Sequence, residues 1–236
     1  MVTIICVDGL AGHPEYTFSA LQSALEANGH IVNTIDTSAV ASHADRVKLA
    51  LCAYDTAMKP VVFVGQSAGG SAVRIAAERL EKEGKPLAGV VLLSPAMPRG
   101  ILFMTRALWS VMKGRVREVF LGKPIRPTEK EYTTLIEPLP FIEGFAAIRS
   151  RQVVSGIECR DLLFPPKFVG YSYPTLHIWG VEDRWIAPSA QRKLNTMLKK
   201  SSEVTTHELP HTGHLTLASH RREEVIQSIT NWVSKL

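Results

Sequence analysis

A serine lies in the run Gly65-Gln66-Ser67-Ala68-Gly69, directly after the apolar stretch Val61–Val64 and just before a segment with helical apolar spacing. A serine hydroxyl is a weak nucleophile at neutral pH and needs both an exposed position and a base. A strand–turn–helix supplies the position. Gly65 and Gly69 leave room for a tight turn in which the serine backbone is strained, and the helix that follows offers unpaired N–H groups beneath a reacting oxygen. The competing account is a helix cap, with Ser67 or Ser71 accepting first-turn N–H bonds; the preceding strand favours a nucleophile elbow. A base is available in His211-Thr212-Gly213-His214-Leu215, and an acid in Trp179-Gly180-Val181-Glu182-Asp183-Arg184. The chain order is therefore serine, acid, histidine. Both runs follow predicted strands, at the carboxyl edge where open α/β sheets carry their sites. A carboxylate behind the imidazole would orient it and stabilise its protonated form. The residues alone leave two histidines and two carboxylates in contention. The other six histidines, at 13, 30, 43, 177, 207 and 220, have no such setting, and His177 within a strand reads as structural.

The elements that must hold these residues alternate between β-branched runs and helical stretches, which predicts a parallel sheet covered on both faces. Strands are expected at Val2–Val7, His30–Ile35, Val61–Gly65, Leu87–Leu93, Pro174–Trp179 and Ser202–Leu209. Helices are expected at Pro14–Asn28, His43–Met58, Ala68–Glu83, Pro188–Lys200 and Ala218–Leu236, with Gly29 and Gly84 as stops. The alternation breaks over residues 95–170. There, Ile101–Val119 and Leu139–Ser155 read as helical, and Phe164-Pro165-Pro166 leads back to the core. The expected organisation is a core of residues 1–94 and 171–236, with about six strands, and a helical lid at 95–170 inserted after the fourth strand.

Bulk properties fit that picture. The 236 residues are 45% hydrophobic and 21% charged, enough to bury one large core without disulfides or metals. Cys6, Cys52 and Cys159 lack zinc-ligand and CxxC spacing and read as reduced thiols in a cytoplasmic setting. The first eight residues read as a strand and not a signal peptide, and no apolar run is long enough to predict membrane insertion. The net charge of +5 resides in residues 96–170, which hold 12 Lys/Arg against 7 Asp/Glu. No nucleic-acid motif accompanies that surplus, so no nucleic-acid partner is expected.

Taken together, Asp8-Gly9-Leu10-Ala11-Gly12, the elbow at Ser67, the acid loop at Asp183 and Thr212-Gly213-His214-Leu215 resemble the α/β-hydrolase family over the whole chain. The resemblance implies Ser67 as nucleophile, His214 as general acid/base and Asp183 as its partner. His214 is chosen over His211 by its Gly-His-Leu setting. Asp183 is chosen over Glu182 by the family's Gly-x-x-Asp loop with a following proline, here Pro188. It also implies an oxyanion hole from the backbone N–H groups of Leu10 and Ala68, and a lid that selects substrates. Trp109, Met112, Phe141 and Phe145 are its candidate pocket residues, beside Phe103 and Leu108. Two departures stand out. The strand leading into the oxyanion loop opens this chain, so a reduced sheet is expected. Asp8-Gly9 also stands where many relatives have His-Gly. An ionised Asp8 aimed inward would oppose a developing oxyanion; the expectation is that it turns away to bond the loop backbone.

The reaction implied is hydrolysis of a small-molecule carboxylic ester or thioester through an acyl-enzyme, a chemistry that requires neither metal nor organic cofactor. The same three residues would also serve amide or C–C cleavage or acyl transfer. A non-hydrolytic cyclase or isomerase, or a binding protein, on the same fold is the alternative of a different class.

Overall fold

The computed structural model describes residues 1–10, 12, 14–102, 105–106, 109, 112–126, 128, 130 and 153–236. Six strands, β1 Thr3–Val7, β2 Ile31–Ile35, β3 Val61–Gln66, β4 Gly89–Leu93, β5 Thr175–Gly180 and β6 Val204–Leu209, form one sheet in the order β2-β1-β3-β4-β5-β6. Every pairing is parallel. That follows from β1, β3, β4 and β5, which are buried along their whole length and so read as continuous apolar runs.

Alternate residues of each strand feed two cores. Ile5, Val7, Phe63, Val90 and Leu92 face α3 His43–Thr56, α4 Ala68–Lys82 and α7 Pro188–Leu198. Ile4, Cys6, Val62, Val91, Leu176 and Ile178 face α2 Ser19–Ala27 and α8 Arg222–Val233. The expected first helix is in fact two, α1 Pro14–Thr17 and α2, because the chain breaks at Thr17-Phe18 and drops the Phe18 ring into the second core. The terminal helix starts at Arg222; a separate 3-10 turn, Thr216–Ala218, precedes it.

Between β4 and β5, α5 Val116–Phe120 and α6 Gly156–Leu163 are helical, and Ile125 pairs with Val154 in an antiparallel bridge. Residues 153–155, expected as the end of a helix, are extended or irregular, and the helix begins only after Ser155, whose hydroxyl caps it at the Glu158 N–H. Phe141 and Phe145, like Phe103 and Leu108, lie outside the described residues. No described helix is long and apolar enough to cross a membrane.

His177 on β5 is fully buried, beside the Trp179 indole and with Nε2 3.0 Å from Gln191 Oε1. Desolvation lowers its pKa from the usual 6.5 to about 4. Because the folded value lies below the unfolded one, this residue costs no stability above about pH 6.5. As the pH falls from there toward 4 the unfolded chain takes up the proton first, and stability declines by up to about 3 kcal/mol. His177→Gln keeps the donor to Gln191. It is expected to lose less stability than wild type between pH 7 and about pH 4.5, measured as the shift in urea midpoint.

Candidate active site

Three loops at the carboxyl ends of β3, β5 and β6 meet at Ser67. The elbow is tight: a Cβ on Gly65 would lie 2.5 Å from Gly69 O, and one on Gly69 would overlap the Val7 and Asp8 carbonyls of the neighbouring strand end. Only glycine permits that approach. Ser67 itself sits at φ 56°, ψ −118°, a conformation that costs an L-residue on the order of 1–3 kcal/mol. Its backbone is pinned across to the next strand, with Ser67 N–H donating to Leu93 O at 2.9 Å and Ala96 N–H donating to Ser67 O at 2.9 Å. The strain turns the side chain out of the sheet and toward the histidine loop.

Ser67 Oγ lies 2.7 Å from His214 Nε2, and His214 Nδ1 lies 2.8 Å from Asp183 Oδ2. The other carboxylate oxygen, Oδ1, accepts the backbone N–H groups of Trp185 at 2.8 Å and Ile186 at 2.9 Å. Asp183 and His214 are both buried. A carboxylate only accepts, so Nδ1 must carry the proton and Nε2 is left to accept from the serine hydroxyl. The competing candidates fall elsewhere. His211 Nδ1 and Glu182 Oε1 pair with each other at 3.1 Å on the surface, where the His211 side chain is 77% exposed.

Two residues not anticipated from the sequence hold the histidine. Gln66, fully buried next to Ser67, donates through Nε2 to the His214 carbonyl at 3.0 Å. The Trp185 indole stacks on the imidazole with centroids 5.5 Å apart and planes 15° from parallel. Neither carries a motif signal: Gln66 occupies a variable position of the elbow pattern, and Trp185 reads as one more loop aromatic.

The loop after β1 passes directly against the serine, since a Cβ on Gly9 would stand 3.4 Å from Ser67 Oγ. Leu10 follows it, half-buried against Val119, Ile125 and Val154 from the chain between β4 and β5. Ala68 is the first residue of α4, where N–H groups have no intrahelical partner. Asp8 is fully buried, and its carboxylate accepts from the Gly9 N–H at 2.7 Å and the Thr17 hydroxyl at 2.6 Å. It is occupied in bracing its own loop. Of the pocket candidates, Trp109 is 55% exposed, and Met112 packs on the Val119–Ile125–Val154 cluster.

An open parallel sheet with this elbow, acid loop and histidine loop at its carboxyl edge defines a hydrolase-type α/β protein. The chain belongs to the α/β-hydrolase family, whose model matches residues 3–228. No curated protein matches it by sequence. Among solved structures it is similar to a polyneuridine aldehyde esterase mutant, with 15% identity, 98% of each chain covered and a TM-score of 0.68. It is also similar to a putative lipase from Acinetobacter baumannii (17% identity, 99% of this chain and 84% of that one, TM-score 0.71). A third is a monoacylglycerol lipase from Paleococcus ferrophilus (18% identity, 98% and 93% covered, TM-score 0.66). At these identities the likeness is one of fold.

Proposed function

We propose that this protein is a serine hydrolase that cleaves a small-molecule carboxylic ester or thioester through an acyl-enzyme on Ser67. The observation that carries the reading is the continuous chain Ser67 Oγ, His214 Nε2, His214 Nδ1, Asp183 Oδ2, with links of 2.7 and 2.8 Å. In this mechanism Ser67 Oγ attacks the acyl carbon as His214 Nε2 takes its proton. Asp183 stabilises the imidazolium that forms, without itself taking the proton. The Leu10 and Ala68 N–H groups hold the tetrahedral oxygen, and collapse expels the alcohol or thiol with the proton returned from His214. Water activated by the same imidazole then releases the acid and frees Ser67.

In this reading the chain between β4 and β5 selects the acyl chain, with Trp109 and Met112 as apolar contacts; the candidates Phe141 and Phe145 lie outside the described residues. A hydroxyl at the elbow sets the chain apart from relatives with Asp there, which open epoxides or displace halide. The test is covalent: a fluorophosphonate probe is expected to modify Ser67 in the folded protein, and peptide mapping locates the adduct. A series of p-nitrophenyl esters and acyl-CoA thioesters of rising chain length then defines the substrate. An unmodified Ser67, beside a serine hydrolase control that reacts, sinks the proposal.

A further inference from the structure

Behind the oxyanion loop lies a buried ion pair that the mechanism above does not use. Arg46 on α3 and Glu158 on α6 are 1% and 2% exposed. The guanidinium grips the carboxylate with two bonds, Nε to Oε1 at 2.6 Å and Nη2 to Oε2 at 3.0 Å. Its remaining arm, Nη1, donates to the backbone carbonyl of Asp8 at 2.6 Å.

That carbonyl belongs to the peptide that leads into Gly9 and so to the Leu10 N–H. Its surroundings are crowded: a Cβ on Gly69 would lie 2.6 Å from the Asp8 oxygen, so this oxygen sits between the elbow and Arg46. The N–H on the other side of the same peptide, that of Gly9, is taken by the Asp8 carboxylate. Both polar groups of the Asp8–Gly9 peptide are therefore tied, and the carbonyl's tie reaches through Arg46 to a helix 112 residues further on. That helix is docked independently, through Ser155 Oγ to Ala41 O at 2.5 Å and His43 N–H to Asp161 Oδ2 at 3.2 Å. His43 Nε2 in turn lies 3.1 Å from Ser71 Oγ, one turn beyond the nucleophile on α4. Burial pushes the Glu158 carboxyl up, but its contacts with His43 and Arg46 outweigh this and hold it below its ordinary value, so Glu158 stays ionised at neutral pH.

We propose that Arg46, held by Glu158, is a positioning residue for the oxyanion loop: it fixes the plane of the Asp8–Gly9 peptide and thereby the aim of the Leu10 N–H at the reacting oxygen. A bidentate grip on a carboxylate with a third bond to a carbonyl needs the forked guanidinium; an ammonium cannot reproduce that geometry. The pair also couples the site to the inserted segment, since the insertion's last helix supplies the carboxylate that keeps Arg46 in place.

The proposal rests on the serine-hydrolase reading. Its test uses Arg46→Lys and Glu158→Gln in the full chain. Each is expected to lower kcat for the best ester about 10- to 100-fold, the scale of a misaimed oxyanion donor, with KM within about threefold of wild type. Affinity for a trifluoromethyl ketone, whose hemiketal on Ser67 needs the same donors, is expected to fall in step with kcat. A purely structural role would lower the melting temperature and leave both untouched in folded protein. If neither single variant folds, Arg46→Met/Glu158→Leu, which leaves no orphan charge, carries the same expectation. Folded variants whose kcat and ketone affinity stay within about twofold of wild type overturn this proposal alone, provided that wild-type Ser67 reacts with fluorophosphonate. A wild-type protein that does not react overturns the hydrolase reading and this proposal with it.

Discussion

Replacing Ser67 by alanine is expected to lower kcat for the best ester by about 10⁴- to 10⁶-fold, with a residual rate above that in water from the oxyanion donors and binding alone. The size of the effect follows from what the hydroxyl does. In the proposed mechanism it supplies the atom that bonds the acyl carbon, and no other nucleophile lies within reach of His214 Nε2 among the described contacts. Stability should change little. The substitution removes one hydrogen bond at a half-buried site, on the order of 1 kcal/mol, while the φ of 56° strains alanine as it strains serine. A melting temperature near that of wild type together with loss of turnover is therefore the expected pair of results, read by thermal denaturation and by initial rates. Turnover that survives Ser67→Ala would instead favour a cyclase or isomerase that uses the pocket for shape, or another nucleophile.

Asp183→Asn is expected to lower kcat by about 10⁴-fold at neutral pH, although only one atom changes. The two backbone donors at Oδ1, Trp185 N–H and Ile186 N–H, require an acceptor there, so the asparagine must place its carbonyl oxygen toward them. Its NH₂ then faces His214 Nδ1 in place of Oδ2. A donor at that position forces Nδ1 to accept, which moves the imidazole proton to Nε2. The face turned to Ser67 then carries an N–H and cannot take the serine proton. The protein should fold as wild type does, because every hydrogen bond keeps a partner. Glu182→Gln and His211→Ala, which alter the surface pair alongside, are expected to leave kcat within about twofold of wild type. A large loss from His211→Ala with none from Asp183→Asn would overturn the assignment of the acid.

Much of this architecture was legible in the sequence, and for identifiable reasons. The four inner strands are short apolar runs bounded by turn residues and the two edge strands, β2 and β6, are β-branched runs, so their number and order of appearance can be read directly; the parallel pairing follows from burial of the inner strands on both faces. The elbow announces itself because tight backbone approach admits only glycine at 65 and 69. The break at Phe18 and the helix at Gly156–Leu163 were not legible. In the first case a tertiary contact overrides a helical pattern that continues through it. In the second, an eight-residue helix carries too short an apolar pattern to separate from the irregular chain before it, and its position depends on the Ser155 cap and the docking against α3.

The elbow at Ser67, the acid loop and the histidine loop, and their order along the chain, are properties of the sequence by itself, because each is a local pattern of residue types that the backbone requires. Which histidine faces the serine was open on the residue types alone; the family resemblance chose His214, but the physical reason is tertiary. His211 and His214 are three residues apart in one loop, and only the packed structure turns one outward to Glu182 and the other inward to Ser67. The same holds for Gln66, Trp185 and the Arg46–Glu158 pair. Their partners lie 29 to 148 residues away, at distances set by how strands and helices close on one another, and no local pattern records that closure.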